Sequence, residues 1–293
     1  MTGIFTGCIT ALITPFKDGK VNFKALEKLI SLQIDGGADG IVILGTTGEP
    51  STMTEPEKKR TIGFCVKKAK GKIKVIVGVG SNNTPRAVAS AQRAEKLGAD
   101  GVLAVTPYYN KCTQRGIFEY YSAVCSATKL PVIAYNVPSR TGVNILPETA
   151  ERLATLSNLA GIKEASGNMA QVCEMMRRVR GKTDIFSGED ALNIPILAVG
   201  GAGVISVASN VVPRQIKEVC NLVKCGNLEE ANKLQDSLLP LIDALFCEVN
   251  PIPVKAALNM TGIEAGLPRP PLTELEDEHK KMLLNELKKA VKL

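Results

Sequence analysis

The chain has 293 residues, of which 45% are hydrophobic, 22% charged and 4% aromatic, proportions typical of a soluble globular protein. This composition excludes a disordered chain, a collagen-like repeat and a small disulfide-stabilised domain. The net charge of +7 suits small anionic substrates. The densest basic segment, 67–74, closes a predicted helix and has no aromatic neighbours that could stack on bases, so we expect no nucleic-acid partner.

Residue usage also argues against a metal site, secretion and membrane insertion. The single histidine, His279, lies in a charged C-terminal run, and the eight cysteines include no CxxC pair, so we expect no metal and interpret the thiols as buried small hydrophobes. No basic segment precedes the apolar N-terminal stretch, which favours a cytoplasmic protein. The uncharged stretch 191–213 could span a bilayer, but two prolines and three glycines break it into a short helix, a turn and a buried strand.

Short apolar runs rich in Val and Ile alternate with amphipathic stretches up to about residue 225. This alternation predicts parallel strands joined by helices. The eight predicted strands are 9–16, 40–45, 74–80, 101–107, 131–138, 159–166, 183–188 and 203–207. Eight such units favour a closed (β/α)₈ TIM barrel over an open doubly wound sheet, which usually has about six strands.

Helical periodicity fills the intervals between the strands, for example at 23–34 and 84–97. From residue 227 onward the pattern is helical only, with predicted helices at 228–246, 252–260 and 273–293. We therefore predict an α/β chain with a catalytic barrel at 1–225 and a C-terminal helical domain at 226–293.

Lys163 is the most unusual residue among the predicted strands, because the run around it is otherwise apolar. Strand alternation places Gly161 and Ala165 on its face and Glu164 on the opposite face. A buried lysine without a carboxylate partner has a lowered pKa, and its neutral amine can form a Schiff base with a ketone. Alternatively, Lys163 extends to the barrel mouth and pairs with an acid such as Glu189. The residues alone leave both interpretations open.

The sequence GTTGE at 45–49 follows the second predicted strand. Its two hydroxyls and its backbone N–H groups could bind a carboxylate or a phosphate, or it could be only a polar turn. It lacks the Lys-Ser/Thr ending of a P-loop, and the glycines at 78 and 80 lack the third glycine of a dinucleotide fingerprint. Neither nucleotide-binding motif is therefore supported.

Six motifs occur in order along nearly the whole chain: GTTGE (45–49), VTPYYN (105–110), YNVPSRTG (135–142), IKEASG (162–167), SGED (187–190) and GVISV (203–207). Together they resemble the pyruvate-dependent class I aldolase superfamily, and most closely its dihydrodipicolinate synthase family. The resemblance implies a TIM barrel with a C-terminal helical domain and no metal or organic cofactor. It also implies condensation of pyruvate with L-aspartate 4-semialdehyde, the first committed step of the diaminopimelate and lysine pathway. Members of the family are homo-oligomers, usually tetramers, so the resemblance also implies a homo-oligomer here.

The resemblance assigns the Schiff base to Lys163. A hydroxyl proton relay would comprise Tyr135, Thr46 and, from a neighbouring subunit, Tyr109, which requires at least a dimer. Arg140 would bind the carboxylate of the aldehyde, which sialic acid lyases generally cannot do because they lack this arginine. The other implied roles are carboxylate binding by Thr46 and Thr47, carbonyl groups lining the pocket from Gly188 and Ile205, and a subunit contact at Tyr108.

Lysine-inhibited members of the family bind the inhibitor at a subunit interface through polar and acidic groups. The corresponding positions here are Ser51, Glu55, Lys58, Asn82 and Arg86. Two of them are cations, which disfavour binding of a cationic effector. We therefore expect weak inhibition by lysine or none, with the retained Asn82 compatible with weak binding.

Two alternative functions follow from the same residues. The first is a different aldolase or lyase of the superfamily, for example one that acts on a keto-deoxy sugar acid; Arg140 within YNVPSRTG weighs against it. The second is a barrel that binds anions without catalysis, and Lys163, Tyr135 and Thr46 together weigh against that.

Overall fold

The computed structural model describes residues 2–291. Eight parallel strands close into a barrel in which each strand pairs with the next and the last pairs with the first, as predicted. The strands are β1 (Gly7–Ala11), β2 (Gly40–Ile43), β3 (Lys74–Gly78), β4 (Gly101–Val105), β5 (Val132–Asn136), β6 (Leu159–Glu164), β7 (Asp184–Ser187) and β8 (Gly203–Ser206). Each strand ends earlier than predicted, because the final residues of each apolar run turn into the loops at the barrel mouth.

The first strand shows the largest difference. The prediction that it continues to Phe16 is wrong: β1 ends at Ala11, and Phe16 instead belongs to a two-stranded hairpin, Phe16–Lys17 with Lys20–Val21. Pro15 has no N–H to donate to a barrel neighbour. The backbone N–H of Phe16 bonds to the carbonyl of Ala265, in the C-terminal part of the chain.

Helices surround the barrel, and several begin at an asparagine or threonine whose side chain accepts a backbone N–H, as at Asn22, Thr54 and Asn83. The helices up to the last barrel unit are α1 (Phe23–Asp35), α2 (Glu55–Ala69), α3 (Thr84–Lys96), α4 (Gln114–Ser126), α5 (Pro138–Thr141), α6 (Pro147–Leu153), α7 (Met169–Val179), α8 (Asn193–Ala198) and α9 (Pro213–Lys224). Between 191 and 213 the chain forms α8, a turn and β8, as predicted. No helix within residues 2–291 is both long enough and apolar enough to cross a membrane.

Three helices follow the barrel: α10 (Leu228–Leu245), α11 (Ile252–Met260) and α12 (Asp277–Ala290). The prediction for α11 is confirmed to the residue, whereas α12 begins four residues after the predicted 273. We propose residues 225–226, between α9 and α10, as the boundary of a C-terminal helical domain. Met1 of the predicted barrel domain and residues 292–293 of the last predicted helix lie outside the described residues.

The core is apolar and continuous from the barrel interior to the helices. All eight cysteines are free thiols. The expectation that they are buried is wrong for Cys173 on α7 and for Cys225, which directly follows α9, because both are exposed; Cys112 and Cys247 are half-buried.

Candidate active site

A cavity of about 310 Å³ lies at the carboxyl ends of the barrel strands, where barrels of this type carry their sites. Its volume falls within the range of small-molecule sites. Most of its lining comes from the barrel, including Thr46, Thr47, Tyr135, Arg140, Lys163 and Gly188. The remaining wall comes from the end of α10 and the segment after it, through Ile242, Asp243, Phe246 and Asn250.

Lys163 projects from β6 into this cavity and is only 5% exposed. The strand register places it between Tyr135 on β5 and Phe186 on β7. Its Nζ lies 4.3 Å from the centroid of the Tyr135 ring. No carboxylate of residues 2–291 forms an ion pair with it, so the alternative pairing with Glu189 is not observed.

Glu164, the next residue of β6, points away from the amine. Its Oε2 accepts a hydrogen bond of 2.9 Å from Asn136 Nδ2, and its Oε1 accepts one of 2.8 Å from the backbone N–H of Ser166. Strand alternation had predicted this separation. Lys163 therefore keeps a buried amine without a neutralising partner.

The pKa of Lys163 is lowered from 10.5 to about 8, mainly by burial; the carboxylate of Asp190 opposes this shift, and the positive charge of Arg140 adds to it. With this pKa, roughly 10% of the amine is neutral at pH 7, against roughly 0.03% for an exposed lysine. The amine is therefore available as a nucleophile near neutral pH.

Gly188 makes room for the lysine side chain. A Cβ at this position would lie 2.8 Å from Cε of Lys163 and 3.0 Å from the carbonyl oxygen of Glu164. The backbone N–H of Gly188 donates to that same carbonyl at 2.8 Å. Any larger residue here would push the amine out of place.

Tyr135 is buried beside the amine. Burial raises the pKa of its hydroxyl to about 12, against a smaller opposing effect of Arg140. The strand carrying it is held by Tyr121, whose hydroxyl accepts from the backbone N–H of Tyr135 at 3.3 Å and donates to the carbonyl of Ala104 at 2.9 Å. Sequence reasoning missed Tyr121, because its position within α4 carries no motif.

The two threonines of GTTGE lie in a short 3-10 turn, Thr46–Gly48, directly after β2. The backbone that leads from β2 into this turn rests on Gly78, where a Cβ would lie 2.0 Å from the carbonyl oxygen of Leu44. Thr46 is exposed to the cavity opening, and Thr47 is buried in the wall. The glycine in β3 thus lets the turn close over the barrel end.

Asn250 connects two of the predicted site residues, although no motif marks it in the sequence. Its Nδ2 donates to Thr47 Oγ1 at 2.8 Å, and its backbone carbonyl accepts from Arg140 Nη2 at 3.4 Å. Its Oδ1 is buried without a hydrogen-bond partner among the described residues. The C-terminal helical region therefore contributes directly to the cavity wall.

Three residues implied by the resemblance lie outside the cavity lining. Ile205 is buried within β8, and Val207 lines the cavity in its place. Tyr108 and Tyr109 follow β4 and are 38% and 89% exposed, respectively. Tyr109 has a φ of +69°, and neither tyrosine lines the cavity of its own chain.

The candidate effector residues lie near the N-termini of α2 and α3, and none of them lines the cavity. Glu55 pairs with Lys58 at 3.0 Å and also with Arg93, and the hydrogen bond from Lys58 lowers its pKa. The backbone carbonyl of Asn82 accepts from Asn110 Nδ2 at 3.1 Å. The two remaining candidates, Ser51 and Arg86, are exposed.

One group of potential metal ligands occurs within residues 2–291: Glu248, Glu276 and His279, whose ligand atoms lie within 4.8 Å of one another. The Oε1 of Glu248 contacts His279 Nδ1 at 2.7 Å and accepts from the backbone N–H of Glu276 at 2.9 Å. The group thus ties the start of α12 to the segment that follows α10. None of its members lines the cavity.

Comparison with known proteins agrees with this architecture. Residues 4–290 match the model of the dihydrodipicolinate synthetase family. A 4-hydroxy-tetrahydrodipicolinate synthase from Alkaliphilus oremlandii is 52% identical over 98% of this chain and 99% of its own length.

Solved structures give the same result. A dihydrodipicolinate synthase from Thermotoga maritima superposes with a TM-score of 0.97 at 43% identity and covers 99% of this chain and 100% of its own. The Acinetobacter baumannii enzyme, solved as a complex with pyruvate, has a TM-score of 0.95 at 41% identity over 97% of this chain and 98% of its own. The chain therefore belongs to the dihydrodipicolinate synthetase family.

Proposed function

We propose that this protein condenses pyruvate with L-aspartate 4-semialdehyde, through an imine on Lys163, to give 4-hydroxy-tetrahydrodipicolinate. Family membership makes the chain a class I aldolase-type synthase, and its relatives bear the name of this reaction. The observation that carries the proposal is the buried amine of Lys163, which has no ion-pair partner and a pKa of about 8, in a cavity whose lining includes hydroxyl groups and the guanidinium of Arg140.

The first step joins pyruvate to the enzyme. The neutral amine of Lys163 attacks the keto carbon, the keto oxygen leaves as water, and a protonated imine remains. Thr46 and Thr47 bind the pyruvate carboxylate through hydroxyl and backbone N–H groups at the end of β2. The hydrogen bond from Asn250 to Thr47 Oγ1 fixes the direction of that hydroxyl.

We assign proton transfer to hydroxyl groups, because the hydroxyl-bearing side chain of Tyr135 packs on the amine and no histidine lines the cavity. Tyr135 lies against the amine, and its raised pKa makes it a weak acid that needs a hydroxyl chain to exchange protons. Thr46 of the same chain and Tyr109 of a second subunit complete that relay. The exposure of Tyr109 in the single chain supports an oligomer, at least a dimer.

The second substrate adds to the enamine formed from the imine. The enamine carbon attacks the aldehyde carbon, and the new alkoxide takes a proton from the hydroxyl relay. The amine of the semialdehyde then attacks the imine carbon, the C–N bond to Lys163 breaks, and the cyclic product leaves. Arg140 binds the carboxylate of the aldehyde with its planar guanidinium.

Lysine inhibits this enzyme weakly or not at all. An effector with its own ammonium group would compete with Lys58 and Arg93 for Glu55, the acid among the candidate positions. Arg86 adds an unfavourable positive charge at the start of α3. Unchanged steady-state turnover in millimolar L-lysine is the expected result, and substantial inhibition would overturn this part of the proposal.

The test of the reaction has two stages. Borohydride reduction with pyruvate, followed by peptide mass spectrometry, should give a stable adduct in the wild type and none in Lys163→Ala; an unmodified wild-type enzyme would refute the imine. Steady-state assays of Arg140→Ala with aspartate semialdehyde should then show a large loss of turnover. Unchanged turnover would instead favour a different aldehyde partner, such as that of a keto-deoxy sugar acid aldolase.

A further inference from the structure

A second lysine, Lys255 in α11, is buried immediately behind the GTTGE turn. Its side chain is 1% exposed, that of Glu49 is 2% exposed, and Nζ lies 2.6 Å from Glu49 Oε1. This pair joins the C-terminal helical region to the residue that directly follows the turn Thr46–Gly48. The proposed mechanism gives neither residue a role.

Both partners are further fixed by their surroundings. The Oε2 of Glu49 accepts from the backbone N–H of Arg269 at 2.8 Å, and Lys255 Nζ donates to the carbonyl of Leu267 at 3.2 Å. The same Nζ lies 4.2 Å from the centroid of the Phe16 ring. Both carboxylate oxygens of Glu49 therefore accept a hydrogen bond from the C-terminal helical region.

The contacts of the Glu49 carboxylate affect the turn, because the backbone of Glu49 itself closes the turn in an unusual conformation. Glu49 has a φ of +53°, in the left-handed region, which is unusual for a residue with a side chain. Its backbone N–H bonds to the carbonyl of Thr46 at 3.2 Å and so closes the turn. The buried carboxylate holds this conformation from outside the turn.

Stability alone is a poor explanation for the pair. The desolvation penalty for burying both charges offsets much of the free energy gained from their attraction. Uncharged replacements of similar volume are therefore often neutral or stabilising. The segment before α11 already contacts the same turn through Asn250 and Thr47 Oγ1. Two buried links from one part of the chain thus converge on the residues proposed to bind the carboxylate.

We propose that Lys255 and Glu49 are positioning residues for the keto-acid carboxylate, which they serve by holding the Thr46–Gly48 turn from the C-terminal helical region. The inference rests on the proposed function, since it assumes that this turn binds pyruvate. It assigns α11 a part in substrate affinity and none in the chemical step.

The test compares three variants with the wild type: Lys255→Met, Glu49→Gln and the uncharged double variant Glu49→Gln/Lys255→Met. The quantity measured is the pyruvate concentration that gives half-maximal adduct in borohydride trapping, together with the maximal adduct and the melting temperature. The matched control is Lys217→Met. It breaks an ion pair of 2.7 Å with Asp39, the residue that precedes β2 at the opposite end of the barrel from the cavity.

We expect the half-saturating pyruvate concentration to rise about tenfold in all three variants, because small displacements of binding groups are costly, while the maximal adduct on Lys163 stays near the wild-type level. In the double variant the melting temperature should recover relative to Lys255→Met while the weak pyruvate binding persists. Lys217→Met should lower the melting temperature and leave half-saturation unchanged.

Wild-type half-saturation in the folded double variant would overturn the inference, because it would show that the pair acts on stability only. Equal weakening in Lys217→Met would overturn it as well, since the effect would then be a general result of lost stability. Absence of an adduct in the wild type would instead refute the proposed function, so the two failures are distinguishable.

Discussion

Two lysines among residues 2–291 are buried, and their surroundings handle the positive charge in opposite ways. Lys163 on β6 faces an open cavity with no acid in ion-pair contact, and burial lowers its pKa to about 8. Lys255 on α11 is even less exposed and touches the carboxylate of Glu49. Burial also lowers the pKa of Lys255, but the charge of Glu49 opposes the shift.

The difference shows what turns a buried lysine into a nucleophile. Both amines lose hydration, so burial alone does not distinguish them. Lys163 also packs against an aromatic ring, that of Tyr135, but its amine faces the cavity, and the missing side chain at Gly188 leaves room for it there. Around Lys255 the carboxylate of Glu49 and the carbonyl of Leu267 bind the amine directly. Reactivity thus requires both a missing partner and free volume.

The largest expected effect comes from Lys163→Met. Turnover should fall by roughly 10⁵-fold or more, as for loss of a covalent nucleophile in other enzymes. The free energy of unfolding at pH 7 should increase by up to about 3 kcal/mol, because the buried amine no longer has to shed its proton or stay charged. Steady-state kinetics and chemical denaturation measure the two quantities.

Lys255→Met provides the contrast for the stability measurement. It leaves Glu49 buried without its cation and should therefore destabilise the protein. If both substitutions lowered stability equally, the two lysines would not differ in the way described.

Tyr135→Phe should reduce turnover by about 10³-fold, within the range for loss of an acid–base group. The ring that packs on Lys163 is retained, so pyruvate binding and stability should change little. Single-turnover kinetics of imine formation measure the effect. A rate near that of the wild type would remove Tyr135 from the proton relay.

Gly188→Ala tests the space around the amine. The added Cβ would meet Cε of Lys163 at 2.8 Å, and we expect a loss of about 10²-fold in kcat from the displaced nucleophile. Gly63→Ala is the matched control, because nothing lies within 4 Å of its new Cβ and it sits inside α2. That control should keep full activity and gain about 0.5–1 kcal/mol of stability. Full activity of Gly188→Ala would contradict the packing argument.

The smallest expected effect is on pH dependence. Since only the neutral amine reacts and the pKa of Lys163 is about 8, kcat/KM for pyruvate should rise about fivefold between pH 7 and pH 8 and level off above.

The free energy of unfolding should also depend on pH through Lys163, and it should increase as the pH rises. The folded-state pKa of Lys163 lies below its unfolded value, so the folded protein binds fewer protons between the two. The penalty for burying the charge is present below pH 8 and is relieved as the pH rises toward 10.5. Denaturation of the wild type should show this rise, and Lys163→Met should lose it. A rise of the same size in Lys163→Met would assign it to another group.

Much of the fold follows from local patterns. The runs that became β2 to β8 are short, apolar and separated by helical periodicity, so their number and order could be predicted. Lys163 stands out for the same reason, as a charge in an apolar strand. The hairpin at Phe16 was missed, because its pairing depends on a contact with Ala265, far along the chain.

The rest of the site depends on tertiary contacts that no local pattern contains. Asn250 and Lys255 lie in the C-terminal helical region and reach the turn after β2 only when the fold is complete. Tyr121 lies within α4, and its hydroxyl accepts a hydrogen bond from the backbone N–H of Tyr135 on β5. A polar residue of this kind is recognisable only when its partner is known.

The most direct test of the account is peptide mapping after borohydride reduction with pyruvate, performed across the pH range around 8. We expect the reduced pyruvate adduct to lie on Lys163, to form faster as the pH approaches 8, and never to occur on Lys255. An adduct on Lys255, or a trapping rate that does not change with pH, would contradict it.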